Sequence, residues 1–516
     1  RAELVYQGLY HAKSFSKIHF DMQTLNLVMG GPKLVSAMAK AMNLPSIQAT
    51  RAHSSRPHIQ SCIGFPTSDE IFLLVNQPPP KRSYSLMEDE IVLEEHPWYD
   101  AERDAVVGLA HEDAITCKLS PLNLENLIAI AEALDNGIIF HAKEATVVML
   151  VAFDHDHYSP VPIMISGTSE KETEQRQAHW IANTLETWKK LPHGASHYIA
   201  SDSDVTHCKA LHQLFMCKTL PPESPLYRFL GHLPLINMQC GEDEENSEID
   251  FKHKFKTDVT PRLPYCVDFS GTLCTEDEFL ISGDHITPAL IKMKLKFVLG
   301  YDSDTIKTLF NYRDHQNVPN AIKLLGALHK LAISLGFLDD MENQGLVILG
   351  QLIGFLIMPY INIFMCLFDQ LASLSAAGHL LFALYWQNHT DFCPGQFFYD
   401  LQTFVKNVFW SVAKQKVLGP NSSCFIIQNG SDQLKGSFGI YRTMDHAHNV
   451  DILQLSHCAS QAAEVLQILA NNPELDRGHQ CLALSGAEDI DHTNPKLWTG
   501  DVCVSNVSLL TAWTNS

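Results

Sequence analysis

Thirteen cysteines are spread over 516 residues, and no two of them stand in a C-x-x-C pair. That spacing excludes a zinc ribbon and offers no disulfide framework; free buried thiols in a reducing compartment are the expectation. Positive charge is scarce as well. Lys and Arg total 37 against 58 Asp and Glu, a formal net charge of −21. The longest charge cluster, Glu242-Asp243-Glu244-Glu245, is acidic. A protein that grips duplex DNA carries basic patches that neutralise phosphates and release counterions. The chain therefore reads as a poor autonomous DNA binder. It also lacks a Walker-type phosphate loop, a G-x-S-x-G turn, an internal repeat and a secretory leader pattern.

What is present is a globular composition. Hydrophobic residues make up 46% and charged residues 18%, enough apolar material for a core. The length suggests roughly two to four domains. Many of the 26 histidines stand alone and read as surface or satisfied core residues.

The first segment, 1–80, opens on Arg1, which suggests a truncated N-terminus, and ends on the stiff breaker Pro78-Pro79-Pro80. Strand-like runs follow at Tyr84–Leu93, Ala105–Ala110, Thr146–Phe153 and Val161–Ser166. Ala178, Ile181, Leu185 and Trp188 predict a helix over 171–190. A short strand, His197–Ala200, runs into Ser201-Asp202 and a helix over Asp204–Met216, and another strand is expected at Leu233–Met238. From Pro288 to Lys416 the periodicity is helical throughout. A weak strand, Cys424–Gln428, and helices over Gln433–Tyr441 and Val450–Ala470 complete the pattern. The expected division is 1–80, 81–287 as the first part of an α/β domain, 288–420 as an all-α insertion, and 421–516 as the completion of that domain with a C-terminal tail.

Leu346–Phe368 carries no charge and is long enough to cross a bilayer. It contains Gln351, Asn362 and Pro359, lacks basic flanks, and is bordered by Asp339, Asp340, Glu342 and Asp369. A buried helical core, broken in its middle at Met358-Pro359, is the expectation, with a membrane-associated helical protein as the alternative.

Carboxylates at strand positions are the chemically informative feature. Asp89 lies inside the run Ser85–Leu93, where an acid beside apolar neighbours is unfavourable unless it binds something. On composition alone the run reads as an edge strand with solvated acids. Asp202 ends a strand before a helix, either a ligand position or an N-cap. In Asp250-x-x-His253-x-x-Lys256 a helix would align the three side chains, to hold phosphate or as a solvated turn. Asp154-His155-Asp156-His157 looks like a metal cluster, but alternation splits it across two faces, and it reads as a strand end before Ser159-Pro160.

Taken in order, these anchors resemble P-element-like DDE transposases. Leu86–Ile91, followed by Trp98-Tyr99-Asp100 and Val107-Gly108, resembles their first catalytic strand and hairpin. Ser201-Asp202 resembles their second catalytic Asp, and Asp250-x-x-His253-x-x-Lys256 their D-x-x-H-x-x-K signature. Gly430–Arg442 resembles their last helix, D-x-L-E-x-x-F-G-x-x-R. The tail Asp491-His492-x-Asn494-Pro495-x-x-Trp498-x-Gly500-Asp501 is similar to fungal transposon-derived proteins.

The resemblance implies an α/β, RNase H-like mixed sheet interrupted by an all-α insertion domain. It implies Mg²⁺-dependent cleavage and strand transfer of DNA, with Asp89 and Asp202 as metal ligands. The third catalytic position, a Glu in the pattern, falls on Lys435, which cannot ligate Mg²⁺. Asp432, three residues earlier, is the possible substitute. Glu88 stands where an apolar residue is expected, and Thr257-Asp258 follows Lys256 where the pattern continues basic. These departures point to decay: ancestral DNA contact weakened by acidic charge, a possible homo-oligomer, and a nuclear or cytoplasmic location. The alternative is a domesticated, non-catalytic interaction scaffold.

Overall fold

The structure, a computed structural model, describes residues 15–54, 59–69, 71, 84–114, 124–153, 155, 158–191, 196–201, 205–249, 279–281, 283–311, 318–337, 343–444, 450–472, 475 and 495–515. Nine strands serve the account: β1 (Tyr84–Val92), β2 (Trp98–Asp100), β3 (Ala105–Val107), β4 (Glu144–Ala152), β5 (Val161–Thr168), β6 (Ser196–Ser201), β7 (Lys218–Thr219), β8 (Gln239–Cys240) and β9 (Asn246–Ile249). Five of them make one mixed sheet in the order β5-β4-β1-β6-β9. β1 pairs antiparallel with β4, and β4 with β5, whereas β6 and β9 are parallel. This is the RNase H-like α/β arrangement that the resemblance implied, followed by a helical region.

The chain forms two compact units. One comprises 1–152, 156–196 and 433–476; the other comprises 153–155, 197–432 and 477–516. In the first, side chains alternate across the sheet. Thr184 of the helix Glu174–Lys189 reaches Met164 of β5, and Trp188 packs edge-on against Tyr84 of β1. Met164 lies opposite Val148, which lies opposite Glu88, so this helix covers the face that carries Tyr84, Leu86 and Glu88. Ser437 of the helix Asp432–Met444 contacts Met149 of β4 at 3.4 Å. Met149 pairs with Met87, so that helix covers the other face.

The second unit is built on helices. Pro288–Leu299, Ser303–Leu309, Val318–Phe337, Gln344–Ile361, Leu367–Asn388 and Gly395–Leu418 supply most of one apolar core. Gln344–Ile361 and Leu367–Asp391 are each long and apolar enough to cross a membrane, and the first is mostly buried within the unit. Pro359 does not break its helix in the middle as expected; the helix runs on to Ile361. Proline removes one donor and frees the carbonyl four residues earlier. That carbonyl, Phe355 O, accepts from the Ser373 hydroxyl at 3.0 Å on the next helix, and Gln370 donates to Pro359 O. The lost bond is replaced, so the helix continues.

Three expected strands differ. Leu233–Met238 is a series of turns, with Leu235 in the left-handed region at φ 66° and exposed. Cys424–Gln428 is a buried 3-10 turn over Ile426–Gln428. Ala105–Ala110 is not one strand: its pairing with β2 ends at Val107, Gly108 turns at φ 92° against the carbonyl of His96, and Leu109 bridges instead to His141.

Candidate active site

Asp89 lies on the central strand of the sheet, not on an edge, and is 8% exposed. Its Oδ1 accepts from the Glu90 backbone N–H at 2.9 Å. Opposite it on β4 is Val147, so Asp89 shares its face with Met87, Met149 and Val147. This is the face that Ser437 touches. The first acid of the expected set and the helix that should bring the last one therefore meet one sheet surface. Glu88, one residue earlier, is 1% exposed and points to the opposite face, under the helix Glu174–Lys189. It fills an apolar environment that sequence alone assigns to a hydrophobic residue, and it takes no place beside Asp89.

On Asp432–Met444 the residues Leu434, Ser437, Phe438 and Tyr441 are buried. Lys435 is half-buried and flanks that stripe, three residues before Phe438. Asp432 begins the helix. Asp202, Asp250, His253 and Lys256 lie outside the described residues, as do Asp154, Asp156 and His157. β6 ends at Ser201 and β9 at Ile249, so Asp202 and Asp250 each follow a strand of the parallel pair.

The hairpin of β2 and β3 has a structural role. Asp100 Oδ1 accepts from Glu102 N at 2.9 Å and its Oδ2 from Arg103 Nε at 2.7 Å; Arg103 goes on to the Ser61 carbonyl. Burial alone would raise the Asp100 pKa, but these bonds and the Arg103 charge outweigh it and hold the carboxyl below its usual value. The tail motif is structural too. Trp498 Nε1 donates to Met365 O at 3.0 Å, Gly500 N to Ile363 O at 2.9 Å and Leu367 N to Asp501 O at 2.7 Å. It pins the turn between the helices Gln344–Ile361 and Leu367–Asn388. Asp491, His492 and Asn494 lie outside the described residues.

No protein-family model and no curated protein sequence matches this chain. Among solved structures, the Drosophila P element transposase strand transfer complex matches with a TM-score of 0.54. The match covers 92% of this chain and 96% of that one at 13% identity, and so establishes a shared fold.

Proposed function

We propose that this chain retains the scaffold of a DDE strand-transfer enzyme without its two-metal chemistry. One observation carries the reading. The helix Asp432–Met444 covers the sheet face of Asp89, and in the sequence Lys435 falls on that helix at the position where the resemblance has the third carboxylate. Two-metal phosphoryl transfer needs about three acidic side chains around a pair of cations. Asp89 and Asp202 supply two, and a lysine ammonium has no lone pair to give. The donor set thus does not fit a pair of Mg²⁺ ions. The matching structure is a strand transfer complex, which supports DNA as the ancestral partner.

The test is a nicking and joining assay on supercoiled DNA with Mg²⁺ or Mn²⁺. No cleavage above background is expected. Metal-dependent nicking that Asp89→Ala abolishes would overturn the proposal, and loss of that nicking in Asp432→Ala would identify the third acid. Absence of catalysis leaves a non-catalytic interaction scaffold as the role of the fold. The stacked Phe382–Trp386 pair, 41% and 71% exposed, supports that role.

A further inference from the structure

Three side chains outside the transposase anchors converge beside the end of β5. His111 opens the short helix His111–Ala114, Glu112 follows it, and Glu172 sits in the loop before the helix Glu174–Lys189. His111 is 3% exposed, and the Glu112 and Glu172 side chains are 7% and 12% exposed. Nδ1 of His111 lies 2.9 Å from Gly167 O. A carbonyl can only accept, so Nδ1 carries the proton and Nε2 presents its lone pair when the ring is neutral. Glu172 Oε1 stands 2.8 Å from that Nε2.

Glu112 is anchored from behind: its Oε1 accepts from the Ser169 hydroxyl and backbone N–H. Its Oε2 is buried, makes no hydrogen bond and lies 3.8 Å from His111 Nδ1, so a turn about the Glu112 side chain is needed to bring it to Nε2. One potential ligand atom from each residue falls within 4.8 Å of the other two. Among the described residues this is the group of His, Cys, Asp and Glu side chains that meets that spacing.

Protonated His111 can balance only one of the two carboxylates. Burial works against the imidazolium, and Glu172, Glu112 and the Gly167 carbonyl more than offset it, so its pKa is raised. A dication would balance both carboxylates and use the Glu112 oxygen that makes no hydrogen bond. The backbone carbonyl behind Nδ1 is the usual orienting partner of a ligating imidazole. Bound Zn²⁺ needs N and O ligands at about 2.0–2.2 Å, hence roughly 3.3 Å apart. Rotation of two glutamate side chains covers that contraction. An imidazole nitrogen favours a first-row transition metal over Mg²⁺ or Ca²⁺.

We propose that His111 Nε2, Glu112 and Glu172 form a mononuclear transition-metal site, best suited to Zn²⁺, that ties the helix at 111 to the loop after β5. The site is independent of any chemistry at Asp89. Binding would release the Nε2 proton and exchange the His111–Glu172 contact for two metal bonds, with water completing the coordination.

The experiment uses the full chain carrying Asp89→Asn, which removes the Asp89 carboxylate as a competing ligand. After treatment with chelator and dialysis, the chain is titrated with Co²⁺ and then with Zn²⁺. The expected result is one Co²⁺ per chain with visible d–d absorption of a four- or five-coordinate ion, displaced by Zn²⁺ and not by Mg²⁺. Glu112→Gln and Glu172→Gln should each weaken binding at least tenfold; His111→Ala should abolish it. Glutamine at 112 keeps an acceptor for Ser169, and circular dichroism without metal checks that each variant folds. No stoichiometric Co²⁺ uptake by the folded protein would overturn the proposal and leave a buried ion pair. Uptake undiminished in all three folded variants would equally overturn it.

Discussion

On the proposed reading a single side chain, Lys435, decides the chemistry at the Asp89 face. Lys435→Glu places a carboxylate on the helix above the Asp89 face. The variant should bind Mg²⁺ more tightly than the parent, read as a larger Mg²⁺-dependent thermal stabilisation. At 100-fold excess over the dissociation constant, the gain is about 2.7 kcal/mol. No metal-dependent shift in a folded Lys435→Glu chain would mean that Lys435 is not the third position. Glycine 500 is a second decisive residue. A Cβ there would lie 2.0 Å from the Met365 carbonyl oxygen, a backbone atom with little freedom to move. Gly500→Ala should therefore destabilise the helical unit by roughly 1–3 kcal/mol, the usual cost of overpacking. Urea unfolding with an unchanged midpoint would refute that.

At the scale of elements, buried polar groups set the behaviour of the Gly395–Leu418 helix. Lys406 donates to Gln239 O, and Asn407 donates to Ser247 O beside β9. Burial pushes the Lys406 pKa down to about 7 and the Lys414 pKa down to about 8. Burial also raises the Glu248 carboxyl, against the pull of Lys414 and Lys406. In the unfolded chain the lysines bind protons below their ordinary value of 10.5 that the folded chain refuses. Stability should thus rise as pH increases from about 7 towards 10.5, and it is lowest on this account below the folded values. Glu248 acts in the opposite sense: its contribution is present below its ordinary 4.5 and is lost as pH rises through its folded value. Lys406→Met should flatten the rise above pH 7; an unchanged slope in urea unfolding at pH 7 to 9 would contradict this.

Ser373→Ala is the parallel test on the Pro359 helix. It strips the Phe355 carbonyl of the hydroxyl that replaces the missing proline N–H. A loss of about 1–3 kcal/mol is expected, and an unchanged unfolding midpoint would count against it. The element pattern itself was legible in sequence where periodicity was strong. Alternating apolar residues marked β1, β4 and β5, and helical spacing marked 174–189 and the long helical block. Leu233–Met238 misled because an apolar run serves equally well as turns packed on a helical core: Trp513 Nε1 donates to Pro234 O there. Asp89 stood out because an acid inside an apolar strand is anomalous, but the run alone read as an edge strand, whereas β1 is the central one. The group at His111 was not legible, since Glu172 lies far from it in sequence and only the fold joins them.

For the whole molecule, charge is the deciding quantity. A DNA-joining enzyme must bring phosphates, themselves acidic, against a carboxylate-rich site, and it needs compensating lysines and arginines elsewhere. Here 37 basic residues face 58 acidic ones. The fold resembles that of a structure solved as a strand transfer complex, so on the proposed reading it is charge that sets the affinity for DNA. Counterion release per phosphate contact drives nonspecific binding, with dissociation constants typically of about 10⁻⁴–10⁻⁶ M at physiological salt. A chain at −21 begins from a repulsive field, which also slows encounter. This chain should show no measurable binding to a duplex in fluorescence anisotropy at about 0.15 M salt, where the screening length is about 8 Å. Lowering the salt should not rescue binding, because weaker screening strengthens the net repulsion. The expected salt dependence is therefore flat or inverted. Tight binding that weakens steeply with salt, a slope near −0.9 for each phosphate neutralised, would show that a local basic surface overrides the net charge.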